Sequence, residues 1–298
     1  MWIALIASYG IIKSFREVLK KKAMENRSVA EVLFFYTLFA FVLVIPLSHD
    51  VFALSWRAHL VIFFKSFSIF LAWICALNSI KRLPLSIYCV ADMGRMLFSI
   101  LFGIIFLGEM LGWLDGAGII LVLTGITLVN LRSGKGKELE EAPKKRVLLL
   151  VLGSCILNAV SGTADKWILT TQDAPKWFLG TEIISTSQMQ FWYMLYLVVL
   201  YGIYFFTLSA VKKERIHIKR NLLSPIMWIL SLLFILADRA LFIANSDPNS
   251  RVIVMTVIKQ CSVIVTIILG KLIYKEKHIL YRTLCAILII CGIVITAI

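Results

Sequence analysis

The sequence has little charge and lacks the motifs that mark most enzymes and metal proteins. Of its 298 residues 16% are charged, whereas an ordinary soluble domain has about a quarter. It contains no HExxH or CxxC spacing, the four histidines stand singly, and the six cysteines lie in apolar segments. It has no Walker motif, so we do not expect ATP to drive the protein. We therefore predict no catalytic residues, no metal site and no cofactor.

Long apolar runs dominate instead. Hydrophobic residues make up 60% of the chain and the mean hydropathy is +0.90, more apolar surface than a soluble fold can bury. A helix of about 20 apolar residues crosses a bilayer, and backbone groups in lipid must be satisfied internally. The sequence therefore predicts an all-α, polytopic membrane protein with ten transmembrane helices. The candidate spans are 2–22, 29–47, 58–78, 84–107, 113–131, 147–169, 181–208, 222–244, 250–273 and 280–298.

The charges of the loops predict an orientation. The even-numbered loops hold Arg57, Lys176 and Arg251, and the other Lys and Arg residues of the loops lie in the odd-numbered loops. The net charge of +14 thus indicates membrane topology and lipid contact, with no nucleic acid as a partner. We expect the odd loops in the cytoplasm and both termini outside, in a bacterial cytoplasmic (plasma) membrane. The first segment lacks a basic n-region and a cleavage site, which predicts an uncleaved span.

An internal repeat divides the chain. The polar stretch 132–146 predicts a linker between two five-helix repeats, residues 1–131 and 147–298. "VADMGRMLFSILFGIIFLGE" (90–109) aligns with "VIKQCSVIVTIILGKLIYKE" (257–276), so that Glu109 meets Glu276. Because five is odd, the second repeat is expected upside down relative to the first. Inverted repeats are common in transporters, which bind substrate near the midplane; convergence of two generic membrane segments is the alternative.

These features resemble the drug/metabolite transporter superfamily. The resemblance lies in the two sets of five spans, in "FLGE" at the end of span four, in "NSIKRLPLS" (78–86) and in "GAGIILVLTGITLVN" (116–130). A lysine early in span nine, as in "TVIKQ" (256–260), is similar to the nucleotide-sugar and triose-phosphate branch, where it implies contact with a phosphate. In that branch the next residue is often Arg or another polar residue, and here it is Gln260. The resemblance implies cytoplasmic termini, whereas the loop charges predict the opposite.

Polar residues at helical spacing predict the binding site. An ionisable side chain within a span is costly unless it meets a partner or water. One stripe lies on span four and consists of Tyr88, Asp92, Arg95 and Ser99. The matching stripe on span nine consists of Lys259, Ser262 and Thr266. We expect Arg95 and Lys259 to meet in a central cavity, with Gln260 beside them; a structural ion pair between Lys259 and Asp92 is the alternative.

Spans three and eight add a second predicted set. When the second half is aligned with the first as above, Lys65 and Arg239 fall on the same helical face. Asp238 precedes Arg239 in the sequence. Trp73 is placed to pack against a ring or an apolar part of a ligand. The predicted substrate-binding residues therefore combine four bases with two acids, a balance that favours a substrate bearing an anionic group.

The predicted function is secondary active transport of a small polar metabolite by alternating access. A coupling ion or a counter-substrate would supply the driving force. Two alternatives remain open: an exporter of amino acids or of lipophilic or cationic drugs on the same fold, and a membrane-embedded enzyme. The enzyme would need a convergent catalytic set that the scattered histidines do not supply. A channel would need a repeated ring of charge, which the sequence lacks.

Overall fold

Helices form all the regular elements of the computed structural model. It describes residues 2–107, 144–169, 178–180, 182–212, 218–248, 250, 252–274 and 279–297, together with 113–114, 116–118, 120–121, 124–125 and 128. The helices before residue 108 are α1 (Trp2–Ala23), α2 (Val29–Val44), α3 (Trp56–Arg82), α4 (Leu85–Asp92) and α5 (Arg95–Leu107). Those after residue 143 are α6 (Lys144–Leu169), α7 (Thr186–Lys212), α8 (Ile218–Leu222), α9 (Pro225–Ser246), α10 (Val252–Tyr274) and α11 (Ile279–Ala297). A 3₁₀ turn, Ile45–Leu47, follows α2.

The surface of the bundle suits lipid. Five helices are long and apolar enough to cross a membrane, and they lie in Val29–Leu47, Trp56–Arg82, Arg146–Leu169, Thr186–Val211 and Pro225–Ser246. Large apolar side chains such as Phe64, Ile203 and Leu236 are exposed on these helices. The protein is therefore an all-α polytopic membrane protein, as the sequence predicts. The ten-helix count stays a prediction, because much of the predicted fifth span, 113–131, lies outside the described residues. Residues 132–143 of the linker, Glu109 and Glu276 lie outside them as well.

The predicted fourth span differs from a single continuous helix. The chain turns at Met93 and Gly94, so that α4 ends at Asp92 and α5 begins at Arg95. Around the turn the amides of Gly94, Met96 and Leu97 bond carbonyls three residues back instead of four. Glycine favours such a break because it is a poor helix former. The break puts polar backbone and two charged side chains inside the bundle.

Helices of the first half pack mainly against helices of the second half, and the contacts resemble each other in the two directions. Helix α1 packs against α9 and α10, while α6 packs against α3 and α5. In the same way α2 packs against α7 and α9, while α7 packs against α2 and α3. Hydrogen bonds follow this pattern, since the Ser231 hydroxyl donates to the Tyr36 carbonyl and the Tyr201 hydroxyl donates to the Phe70 carbonyl. Contacts between the two halves of the chain thus form the centre of the molecule.

The two ends of the bundle are held by different chemistry. At the N-terminal end, where α1 and α10 begin and α9 ends, Ile6, Ala244 and Met255 form a small buried apolar cluster. At the opposite end Glu31 caps the start of α2 in a capping box and also accepts hydrogen bonds from Arg220 and Asn221. The halves therefore meet through apolar packing at one end and through a polar network at the other.

Candidate functional site

A polar cavity lies between the two halves. Its volume is about 120 Å³, enough for several water molecules. Helices α1, α3, α4 and α5 line it from the first half, and α6, α7, α9 and α10 line it from the second. The cavity is therefore at the place where an inverted repeat would put a binding site.

Ten charged side chains line this cavity. The bases are Lys13, Arg16, Lys20, Lys65, Arg95 and Lys259, and the acids are Glu17, Asp92, Asp165 and Asp238. Among the described residues each of the four carboxylates lies within ion-pairing distance of a base. The six bases outnumber the four acids, so the cavity has an excess of two positive charges.

Helix α1 supplies four of these ten charges, and the sequence prediction missed all of them. Tyr9, Lys13, Arg16 and Lys20 follow one another at steps of 4, 3 and 4 and so share one helical face. That spacing is the same signal that identified the stripe on the fourth span. Adjacent charges of opposite sign obscured it, because Arg16 and Glu17 looked like a break in the span. In the structure Lys20 Nζ lies 2.9 Å from Glu17 Oε1, one turn away.

The most buried ion pair joins α3 to α6. Lys65 Nζ lies 3.0 Å from Asp165 Oδ1. The same ammonium lies 3.2 Å from the centre of the Tyr193 ring and 5.1 Å from that of Phe242, which adds a cation–π contact. Carboxylate and ring together explain how a lysine is tolerated in the bundle. Asp165 was also missed in the sequence, because Lys166 follows it and suggested local neutralisation.

A second ion pair crosses between the halves from α1 to α9. The Arg16 guanidinium lies 3.7 Å from Asp238 Oδ1, too far for a hydrogen bond, and 4.9 Å above the Phe234 ring. Arg16 Nε and Nη1 are buried without a hydrogen-bond partner among the described atoms. This pair is looser than the one between Lys65 and Asp165, and it leaves two buried donors of Arg16 unsatisfied among the described residues.

The helix break at Gly94 organises a third charged group. Arg95 at the start of α5 bonds Asp92 at the end of α4, and Lys13 of α1 approaches the same carboxylate at 3.7 Å. An acid at a helix C-terminus and a base at an N-terminus both oppose the helix dipole, so pairing them compensates each end. Arg95 Nε and Asp92 Oδ1 have no hydrogen-bond partner among the described atoms. The side chains at the break therefore have hydrogen-bonding groups that lack a partner among the described residues.

Lys259 of α10 lines the cavity and forms no ion pair with a described carboxylate. No described carboxylate lies within 4.0 Å of its ammonium, and the nearest ring, that of Tyr9, lies 5.8 Å away. The alternative of an ion pair with Asp92 is not observed, since Asp92 pairs with Arg95 and Lys13 instead. The side chain of Gln260 lies outside the described residues.

The other predicted residues divide into two groups. Tyr88, Ser99 and Trp73 line the cavity, and Trp73 packs edge-on against Phe234. Thr266 and Arg239 do not line it. The Thr266 hydroxyl donates to the Ser262 carbonyl of its own helix. The Arg239 guanidinium donates to neutral side chains of α7, those of Ser187 and Gln190.

The arrangement suits reversible binding of a polar molecule. Among the residues that the structure describes, no three His, Cys, Asp or Glu side chains come together as a metal site. The charged groups pair with one another at distances from hydrogen-bond contact to 3.7 Å, and the loosely paired Arg16 has buried donors without a described partner. A ligand of suitable charge can replace such a partner without leaving a buried charge uncompensated.

Comparisons with known proteins agree with this geometry. Residues 1–131 match the model of the EamA-like transporter family. One protein of known crystal structure superposes with a TM-score of 0.66 over 99% of this chain and 96% of that chain, at 11% identity, which supports the fold alone. No curated protein matches the sequence. The first half of the chain is thus similar to EamA-like transporters, in agreement with the resemblance that the sequence predicts.

Proposed function

We propose that the protein is a secondary active transporter that moves a small polar metabolite bearing an anionic group. The substrate binds in the cavity between the halves, and the halves rock about it to expose the cavity to each side in turn. A counter-substrate or an ion gradient drives the cycle. The protein performs no covalent chemistry on its cargo.

The excess of positive charge in the cavity carries this proposal. Six bases face four acids, and Lys259 has no described carboxylate within 4.0 Å. An uncompensated cation away from bulk water is costly, so the cavity is electrostatically complementary to an anion. Arginine and lysine are also the side chains that bind carboxylates and phosphates most strongly. A cavity built for lipophilic cations would instead need an unpaired carboxylate.

Reciprocal packing supports two inverted repeats of five helices. If α1, α2 and α3 correspond to α6, α7 and α9, each observed contact among these six helices has a counterpart after the halves are exchanged. The two ion pairs that join the halves at the cavity show the same exchange. The pair of Arg16 and Asp238 joins α1, the first helix of the first half, to α9, the third helix of the second half. The pair of Asp165 and Lys65 joins α6, the first helix of the second half, to α3, the third helix of the first half. We therefore assign residues 1–131 and 147–298 to the two repeats, with 132–146 as the linker.

The contacts between the halves suit alternating access. The ion pair of Arg16 with Asp238 is long, and the apolar cluster at the N-terminal end has only three buried members among the described residues. The network around Glu31 at the opposite end includes Arg220, whose side chain is partly exposed and therefore exchangeable with water. Each end can open while the other stays closed. The loop charges place the opposite end in the cytoplasm and both termini outside.

Ligand-induced stabilisation tests the proposal. The purified protein is heated in detergent with a panel of phosphorylated, carboxylated and quaternary ammonium compounds, because a ligand that binds the folded state raises the melting temperature. We expect anionic compounds to stabilise the wild type and to lose this effect in Arg95→Gln and Lys259→Gln. Arg239→Gln is the matched control, because it removes a base that lies outside the cavity. Compounds that stabilise are then tested for uptake into proteoliposomes.

Stabilisation by cations instead of anions would overturn the anion assignment. If only quaternary amines stabilise the protein, and the two cavity variants respond as the wild type does, the anion assignment is wrong. The same fold would then carry lipophilic cations. Stabilisation by an anion without uptake or exchange in proteoliposomes would contradict transport while leaving the binding site intact.

A further inference from the structure

The neutral polar side chains of the cavity wall have hydrogen-bonding groups that no described residue uses. They are Ser99 of α5, Asn158 and Ser161 of α6, and Asn245 of α9. The Asn158 amide nitrogen donates to the carbonyl and the hydroxyl of Ser154, and its side-chain oxygen accepts nothing from a described residue. The side chains of Ser99, Ser161 and Asn245 form no hydrogen bond with a described residue. The cavity wall therefore offers both donors and acceptors that carry no charge.

Ser161 differs from many buried hydroxyl residues of this molecule. It is 1% exposed, and its oxygen has no hydrogen-bond partner among the described residues. The hydroxyls of Thr37, Ser66 and Thr163 instead donate to the carbonyl four residues back in their own helices. A buried hydroxyl without a partner destabilises the fold. Because Ser161 lines the cavity, a molecule bound in the cavity can supply the partner.

Gly162, the next residue of α6, leaves room for such a molecule. It lines the cavity, and a Cβ added to it would meet no described neighbour within 4 Å. One turn later on the same helical face, the Lys166 ammonium donates to the Asn245 carbonyl at 3.2 Å. This bond holds the end of α9 beside α6. The open backbone at Gly162 thus lies next to Ser161 and one turn of α6 away from the contact with Asn245.

On the basis of the proposed function, we propose that Ser161, Asn245 and the open backbone at Gly162 form a subsite for a neutral, hydroxyl-bearing part of the substrate. Ser99 and Asn158 add a hydroxyl and an acceptor oxygen in the same cavity. A hydroxyl both donates and accepts, so it can pair with each of these groups. A carboxylate only accepts and an ammonium only donates, so either would leave some of the groups without a partner.

Two anions of equal charge and equal chain length test this subsite. Glycerate carries hydroxyls where propionate carries hydrogens, and erythritol is a probe with hydroxyls and no charge. The affinity of the purified protein for each is measured from the rise of its melting temperature with ligand concentration. We expect the wild type to bind glycerate about tenfold more tightly than propionate, because the hydroxyls find partners in the cavity wall.

Variants of α6 should change this preference. Ser161→Ala removes the hydroxyl with little change of volume, so we expect the preference for glycerate to fall to about threefold or less. Gly162→Leu puts a side chain into the cavity and should weaken glycerate binding about tenfold or more. Gly153→Leu is the matched control, because Gly153 lies in the same helix, also has no described neighbour within 4 Å of an added Cβ, and does not line the cavity. It should bind glycerate as the wild type does.

Failure of the subsite is distinguishable from failure of the proposed function. If the wild type binds glycerate and propionate equally, or if Ser161→Ala and Gly162→Leu both bind glycerate as the wild type does, the subsite is wrong and the anion proposal stands. If erythritol binds the wild type but not Gly162→Leu, and neither anion binds, the subsite stands and the anion proposal fails. If neither glycerate nor erythritol binds, the subsite is refuted, and binding of tetraethylammonium alone would refute the anion proposal as well.

Discussion

Replacing Asp165 by asparagine removes the carboxylate that faces Lys65 between α3 and α6 and leaves the side-chain volume almost unchanged. The charged atoms lie 3.0 Å apart, and the two side chains are 2% and 7% exposed. At that separation two unit charges attract by about 5 kcal/mol if the effective dielectric constant is about 20. Breaking a buried pair typically costs roughly 3–5 kcal/mol. The Tyr193 ring still stabilises the ammonium in the variant, so we expect a loss of about 3 kcal/mol.

The free energy of unfolding is measured by SDS titration in mixed micelles, with transport of the identified substrate as a second readout. The double variant Lys65→Met, Asp165→Leu removes both charges and their desolvation penalty, so we expect it to recover most of the lost stability. Arg239→Gln is the control, because Arg239 is bound by neutral side chains. We expect this control to lose less than about 1 kcal/mol.

The stabilities of the single and double variants, compared with that of the wild type, test whether the two charges stabilise each other. If the double variant is less stable than Asp165→Asn, the two residues stabilise the fold through something other than their mutual charge. If Asp165→Asn unfolds at the same SDS concentration as the wild type, Lys65 is not buried beside it. Recovery of stability without recovery of transport is the expected outcome, because both residues line the cavity.

Three further predictions concern other parts of the molecule. In a bacterial host a C-terminal alkaline phosphatase fusion should be active and a C-terminal green fluorescent protein dark, and the reverse would place the termini in the cytoplasm. Glu31→Gln should lower the free energy of unfolding by about 1 kcal/mol, since Arg220 is half-exposed; thermal unfolding unchanged from wild type would contradict the network. Gly10→Leu should lower the melting temperature because a Cβ there already meets Ser262 at 3.3 Å, whereas Gly153→Leu, with no described atom within 4 Å, should not.

The sequence was sufficient for the fold class and for part of the site. Apolar runs of bilayer length predict the long helices, and polar residues at helical spacing predict the stripe of Tyr88, Asp92, Arg95 and Ser99. Both patterns depend only on residues that are close in sequence, so they can be recognised without knowing how the helices pack. The helix break at Gly94 was not predicted. A single glycine in an apolar run is common, and only the polar groups gathered around it give this one a structural role.

The identity of the ion-pair partners could not be predicted, because it depends on which helices touch. Lys65 and Asp165 are far apart in the chain, and the internal alignment gives neither a polar counterpart. The same limit applies to Arg239. The internal alignment predicts that Arg239 lies on the same face as Lys65, but in the structure Arg239 donates to Ser187 and Gln190 of α7 instead.

Charges that are adjacent in sequence do not neutralise each other on a helix, because successive side chains point about 100° apart. Asp165 faces Lys65, whereas Lys166 turns away and donates to the carbonyls of Asn245 and Asp247. In α1 Arg16 likewise faces Asp238, while Glu17 accepts from Lys20. If charges are summed along the chain, adjacent residues of opposite sign are counted as neutral although each pairs with a different partner. The polar cavity is then not predicted. When charges are counted by helical face they stay separate, and on that count α1 is a principal wall of the cavity.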